Sequence, residues 1–426
     1  MTDAGVLAAQ VDEFDPAAVV ELAAALVRLR TVHDGGMHTV EAPAVELVAG
    51  VMRSFDWDVT VTDVAPGRQS VVGVIAGSGT GSSRTLMFEG HVDVVTEGDP
   101  AGWSFDPFAG DVVAGRLRGR GAADMKSGVA AMLHAARAVQ LGGFNGQLVV
   151  GVLADEEGMM LGAKRFAHDL VAGVIPGVRT VDGVIVCEPE GGEVCPVAKG
   201  AIRITVTFIG EMAHGAMPKS GRNPLPAIGS MLIAITEIER GYQAKVGSDR
   251  SLGDFSMTPT VLAAGSLQQL NVIPATAVLA IDVRTVPGID HPALISLVSS
   301  LAASLATEHS VQAVVDILDD RPPVDTAVGD PVVQAMLAGH RAATGLEAVL
   351  GGVPGTTDGT ILTRDAGLPT VVYGPGGKWI AHQADEFVEV AEILTCTRAY
   401  IAAARQFFAV DANSAGESAG RSGAAT

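Results

Sequence analysis

The chain has 426 residues, 48% of them hydrophobic, 18% charged and only 4% aromatic, with a formal net charge of −20. That length exceeds one ordinary compact core, so two domains are expected, and the composition is that of a globular chain filled mainly by Ala, Val, Leu and Ile. The acidity argues against a nucleic-acid or anionic membrane partner and is compatible with a site that holds cations.

The opening stretch MTDAGVLAAQVDEFDP is acidic and does not read as a secretory signal. No apolar run reaches the roughly 18 uncharged residues of a membrane span. Residues 15–32 have helical apolar spacing and open on Asp-Pro, and 41–55 read as a second helix. DVTVTDV and SVVGVIAG follow as strands, and TLMFEGHVDVV is a buried strand by its continuous apolar character. A helix over 126–140, a strand over 146–157 and a strand in VDGVIVCEPE (181–190) continue the alternation. It implies an α/β fold: a mixed, mostly parallel sheet flanked by helices. After VAKG (197–200) the order becomes β-α-β-β-α-β, a split βαβ, ferredoxin-like unit inserted before the α/β pattern resumes at DPVVQAMLAGHRAATG and PTVVYGPGG. The expected division is 1–199 with 318–412 as one discontinuous domain, 200–317 as the insert, and 413–426 as a disordered tail. Cys187, Cys195 and Cys396 are too few for a disulfide framework, and a cytoplasmic setting is expected.

Each buried strand of the discontinuous domain ends in a residue able to bind metal. His91 and Asp93 follow one, Glu156 and Glu157 the second, Glu188 the third, and His382 comes after the last; Asp124 lies in the loop GRGAADMKSG before a helix. In open α/β sheets, ligands gather outside the carboxyl ends of the strands, so these residues can meet at one edge. Side chains at i and i+2 of a strand share a face, which lets Asp93 accept the ring N–H of His91 and aim it at a metal. Imidazole and carboxylate suit zinc, and also manganese or cobalt. Asp124 can bridge two ions. Adjacent Glu156 and Glu157 on an extended segment point opposite ways, so one can bind metal while the other serves as general base.

The series GHVDVV…GDPAGWSFDPFAG…GRGAADMKSG…DEEG…EPE…GPG…AH resembles the co-catalytic dinuclear metallohydrolases, which include succinyl-diaminopimelate desuccinylase, acetylornithine deacetylase, aminoacylases and glutamate-type carboxypeptidases. The resemblance covers about residues 15–410. It implies a zinc-peptidase-like catalytic domain and an inserted lid that also builds a homodimer or higher homo-oligomer. It implies Asp124 as bridge, His91 and Glu188 on one ion, Glu157 and His382 on the other, Glu156 as general acid/base, and Asp93 as the residue that orients His91. His214, in GEMAHGAMPKSGRNP, would reach a neighbouring subunit's site and stabilise the oxyanion. Asn271, Arg284, Gly355 and Thr356 match positions that meet the substrate, Arg284 its carboxylate. NPLPAI stands where relatives often carry NAI after the glycine segment, without functional meaning. His33, His38, His134, His168, His291, His309 and His340 match no ligand position.

Three functions fit this reading. The first is hydrolysis of the amide bond of an N-acyl amino acid or small peptide. The second is hydrolytic deamination of an activated aromatic amine, as in a branch resembling nitroanthranilate aminohydrolase. The third, a non-catalytic binding or assembly protein, would be favoured by a missing ligand or base, and the set is complete.

Overall fold

The computed structural model describes residues 13–33, 40–78 and 84–419, the last ten by backbone alone. They divide into two compact units: the described chain to Pro196 with Thr326–Gly352 and the chain from Thr357, and Val197–Asp325 with Val353–Thr356. The larger unit begins with α1 (Pro16–Val27), α2 (Ala42–Ser54), β1 (Asp58–Ala65), β2 (Arg68–Ala76), β3 (Thr85–His91), α3 (Ser127–Gly142), β4 (Gln147–Leu153), α4 (Leu161–Val171), β5 (Gly183–Val186) and β6 (Val194–Ala198). The smaller unit contributes β7 (Gly200–Ile209), α5 (Leu225–Val246), β8 (Ser256–Ala264), β9 (Thr276–Thr285), α6 (His291–Glu308) and β10 (Gln312–Arg321). The larger resumes with α7 (Pro331–Thr344), β11 (Leu350–Val353), α8 (Asp358–Ala366), β12 (Thr370–Val372) and α9 (Val390–Ala419).

Local chemistry sets several boundaries. Asp15, Asp290 and Asp330 cap α1, α6 and α7 by accepting the backbone N–H of Ala17, Ala293 and Val332, and a proline occupies each first turn. The strands and helices expected from periodicity are present. The helices α4, α8 and α9 and the strands β6 and β11 were not anticipated, nor was a separate small sheet of Asp111–Val113, Arg116–Arg118 and Phe387–Glu389, whose strands are too short to show a period. The expected disordered tail falls partly on backbone that continues α9 to Ala419; residues 420–426 lie outside the described residues.

The main sheet runs in the order β1-β2-β4-β3-β5-β12-β6, with β11 also paired to β6. The central pairs β4–β3, β3–β5 and β5–β12 are parallel, and the flanking pairs β1–β2, β2–β4 and β12–β6 are antiparallel. Every residue of β3 is buried, as expected of a strand covered on both faces. One core joins α1, α2, α3, α7 and α9 to the sheet, while α4 and α8 pack on one another against its other face. Because β3, β4, β5 and β12 share a direction, their carboxyl ends open on one edge.

In the smaller unit the order β8-β9-β7-β10 is antiparallel throughout, and the β-α-β-β-α-β sequence makes it the split βαβ arrangement. Ile202, Ile204, Val206 and Phe208 of β7 and Leu279, Ile281 and Val283 of β9 alternate into a core with Met231 and Ile235 of α5 and Leu294 and Val298 of α6. Among the described residues no helix is long and apolar enough to cross a membrane, and all three cysteines are buried and free.

Close packing seats α3 against the strand edge. A Cβ at Gly128 would stand 2.1 Å from the Cys187 carbonyl oxygen, one residue before Glu188. Backbone cannot yield as a side chain does. Gly128→Ala is therefore expected to destabilise by about 1–3 kcal/mol, the usual cost of overpacking, read as an earlier urea midpoint.

Candidate active site

The strand edge gathers the expected residues of the larger unit. β3 ends on His91, so Val92 and Asp93 lie just beyond it, and β5 delivers Glu188 two residues past its end. Glu156 and Glu157 do not sit on an extended segment. β4 ends at Leu153, and the chain folds into a turn after Asp155, which takes φ +71°. The two glutamates still diverge. Glu156 Oε2 is 3.8 Å from His91 Nε2, and Glu157 Oε1 is 3.1 Å from His382 Nε2.

Asp124 stands between the two histidines. Its Oδ1 is 3.3 Å from His91 Nε2 and its Oδ2 3.2 Å from His382 Nε2. Glu188 Oε1 is 3.0 Å from His91 Nε2. The other ring nitrogen of His91 is 2.9 Å from the backbone carbonyl of Asp93, which only accepts, so Nδ1 donates. The Asp93 carboxylate, 3.6 Å from Nδ1, is beyond hydrogen-bond reach. It accepts the N–H groups of Glu156 (3.4 Å) and Glu157 (3.1 Å) instead. In neutral His91, Nε2 then aims a lone pair at two carboxylates. That geometry suits a cation held by Nε2, Glu188 and Asp124 together.

The electrostatics agree. Burial, reinforced by Glu188 and Glu157 and opposed by His91, holds the Glu156 carboxyl well above its ordinary range. Burial and Asp124 push Glu188 up to about 8. Hydrogen bonds to Asp124 and Glu157 push His382 up to about 10. Burial would raise Asp124, yet His382 and His91 hold it below its usual value. This is an excess of negative charge with too few fixed cations, and the ligand types are those of zinc, manganese or cobalt sites. His91, Glu156 and Glu188 form one group able to hold an ion, and Asp124, Glu157 and His382 another. Glu190, Glu193 and Cys195 also cluster, but there Lys378 Nζ is 2.9 Å from each carboxylate and supplies the positive charge.

Several supporting residues were not anticipated. Glu386, fully buried, accepts the N–H of Ala123 (2.9 Å) and Asp124 (3.2 Å) and pairs with buried Arg120. Glu89 lies behind His91, and burial together with Asp358 holds its carboxyl well above the ordinary value. Lys126 is buried and donates to the Leu29 carbonyl; burial pushes it down to about 7. Glu89 alone left a visible signal, a charge inside an apolar strand. His33, counted among the ordinary histidines, has Nδ1 3.1 Å from buried Arg68.

The other expected residues belong to the smaller unit. His214 Nδ1 accepts the Ala216 N–H (3.0 Å), which leaves the proton of the neutral ring on Nε2, and the Asn271 amide is 3.5 Å from that nitrogen. Arg284 forks onto Asp282 (2.6 and 3.2 Å), and Thr356 accepts from Arg321, while Gly355 stands in the loop beside it.

Removing Glu386 strands the Arg120 guanidinium and two N–H donors away from water. Glu386→Ala is expected to destabilise by about 3–5 kcal/mol, the range for a broken buried pair, read as a lowered calorimetric midpoint.

Comparison with known proteins follows the same line. Residues 87–406 match the sequence model of Peptidase family M20/M25/M40. The chain is 30% identical over 404 residues to succinyl-diaminopimelate desuccinylase of Paracoccus denitrificans, covering 93% of this chain and 99% of that one. It is 28% identical over 394 residues to a probable succinyl-diaminopimelate desuccinylase of Staphylococcus epidermidis, covering 87% and 92%. Among solved structures, an M20 family metallo-carboxypeptidase from Sulfolobus solfataricus superposes with a TM-score of 0.73 at 16% identity, over 91% of this chain and 99% of that one. A dinuclear metal-binding peptidase from Bacillus subtilis superposes with 0.67 at 18% identity, over 93% and 98%; these two establish a shared fold.

Proposed function

We propose, for a chain that belongs to Peptidase family M20/M25/M40 and so is a metal-dependent hydrolase of amide C–N bonds, that the cluster holds two divalent ions. His91 and Glu188 would hold one, Glu157 and His382 the other, and Asp124 would bridge them. The observation that carries this is the placement of one Asp124 oxygen toward each histidine Nε2. Zinc suits the set best, with manganese or cobalt as alternatives. The substrate proposed is an N-acyl amino acid or small peptide bearing a carboxylate. The desuccinylases among the relatives support the first and the metallo-carboxypeptidase fold the second.

When bound, the ions would supply Lewis acidity, which polarises a carbonyl and acidifies water. Glu156, the carboxylate left over once the nearer ligands are assigned, takes a proton from the attacking water and returns it to the departing amine nitrogen. Asp93 holds Glu156 and Glu157 apart by accepting both backbone N–H groups. His214, protonated on Nε2, is suited to donate to the substrate carbonyl oxygen as negative charge develops there. Asn271, Arg284, Gly355 and Thr356 are proposed substrate contacts supported by motif alone; Arg284 would have to exchange its fork from Asp282 to a substrate carboxylate. A homodimer through β8 is supported by that edge strand, where Val261 and Leu262 are exposed, with Leu267 and Leu270 beyond it.

Glu156→Gln should retain both ions by elemental analysis and lose about 10²–10⁴-fold in kcat, the usual worth of a general acid/base. The assay is product release from N-succinyl, N-acetyl and N-formyl amino acids, dipeptides and electron-poor carboxylated anilines, with primary amine and ammonia scored separately. Amine without ammonia is expected, abolished by chelation and restored by zinc, manganese or cobalt. Full turnover by Glu156→Gln would remove it as the base. Separately, Leu262→Lys should shift the sedimentation coefficient toward the monomer; an unchanged value would place any interface elsewhere.

A further inference from the structure

We infer that Arg68 is a positioning residue for the Glu156–Glu157 pair, acting through Asp155 and Asp93 from a buried ionic knot in which the guanidinium itself meets no proposed ligand or base. This rests on the reading of Glu156 as the base.

Arg68 opens β2, only 6% exposed, and comes from a part of the chain that supplies no candidate ligand. Its guanidinium serves three carboxylates. Nε is 2.7 Å from both oxygens of Glu41, and Nη2 pairs with the same group. Nη1 is 2.7 Å from Asp155 Oδ1, and Nη2 is 3.7 Å from Asp93 Oδ2. Each of these carboxylates in turn accepts from the backbone of the turn that carries the pair. Glu41 Oε1 accepts the Asp155 N–H (3.2 Å), Asp93 accepts those of Glu156 and Glu157, and Asp155 Oδ2 accepts that of Met159 (3.0 Å). The Asp155 carbonyl also accepts from Gly158 (3.2 Å) and Met160 (2.6 Å). The turn from Asp155 to Met160 thus hangs on acceptors, and one guanidinium aims and neutralises them.

A core built for stability alone would not need this. Three carboxylates and one arginine are costly to bury, and well-packed apolar groups often do as well or better. Apolar groups, however, cannot accept the N–H bonds of a turn whose first residue holds a left-handed φ. A planar five-donor fork can hold several carboxylates in fixed directions, and an ammonium cannot do so to the same degree. Loss of the fork should let the turn relax and swing Glu156 relative to His91. A displacement of about 1 Å can cost on the order of 10²-fold in rate.

The test uses the metal-loaded full chain with Arg68→Lys, Arg68→Met and Glu41→Gln, beside Glu156→Gln. Amide hydrogen exchange should quicken across 154–160 while α3 and β4 keep wild-type protection. Manganese titration should keep its stoichiometry. On the N-acyl amino acid turned over in the panel, kcat should fall about 10- to 100-fold with KM within about twofold, Arg68→Lys retaining more than Arg68→Met. Adding Arg68→Lys to Glu156→Gln should cost little more, because the two act through one group. If Arg68→Met does not fold, Arg68→Lys and Glu41→Gln carry the decision. Wild-type exchange and kcat in the variants beside a dead Glu156→Gln would overturn the positioning role alone. Uniformly faster exchange across the larger unit, with kcat and manganese binding lost together, would reduce Arg68 to a structural residue. An active Glu156→Gln would overturn the base reading, and this inference with it.

Discussion

The structure of the larger unit turns on one electrostatic constraint: several carboxylates crowd two histidines at one strand edge, His91 buried and His382 exposed. Two like charges 4 Å apart repel by about 4 kcal/mol at an effective dielectric of 20. Asp124, Glu157 and Glu188 lie within hydrogen-bond distance of a histidine nitrogen, and Glu156 stands only slightly farther off. Such a group persists only where rigid elements impose it and cations compensate it. The central parallel strands provide the rigidity by ending together. Asp124 turns one oxygen toward each histidine, the arrangement on which the proposed pair of cations rests.

The divergence of the neighbouring glutamates Glu156 and Glu157 follows from the turn that carries them. Residues i and i+1 on a strand would also diverge, but the strand stops at Leu153, and divergence depends on the Asp155 turn. One carboxylate, Asp93, holds both backbone N–H groups, so the two side chains leave a common anchor in opposite directions. The same residue steadies His91 through its carbonyl. A position expected to act with its carboxylate on the imidazole acts with its backbone on the imidazole and with its carboxylate on the glutamates.

Much of this was legible in the amino-acid sequence. β3, β4, β5 and β12 are apolar enough to read as buried strands, and a ligand-type residue follows each, so their convergence follows from parallel topology alone. The alternating strands of the smaller unit gave its β-α-β-β-α-β order just as directly. What stayed hidden was closure of the ionic knots. Glu41 and Arg68 flank ordinary-looking helix and strand boundaries, Glu386 sits in a polar loop, and each becomes meaningful only when a residue distant in sequence arrives beside it. The turn at Asp155 was hidden for a different reason: its left-handed backbone is fixed by acceptors from elsewhere in the fold rather than by a glycine.

A common design emerges from the loops that bear the site. The Asp155–Glu157 turn is tied by Arg68 with Glu41, the Asp124 loop by Arg120 with Glu386, and the segment leading to His382 by Lys378 with Glu190 and Glu193. In each case an ion pair or triad holds the backbone near a proposed ligand and leaves that ligand's side chain free of a fixed cation. The arrangement separates two demands that conflict. Groups at the centre must keep their charge available to ions and substrate, so they cannot be neutralised by fixed cations. The backbone that carries them must not move, and the fixed cations are spent there, where neutralising a carboxylate costs the site nothing. An apolar replacement at any of the three positions would keep the volume filled. It would surrender the direction in which a ligand-bearing loop is held, and direction is what a site made of mutually repelling carboxylates depends on.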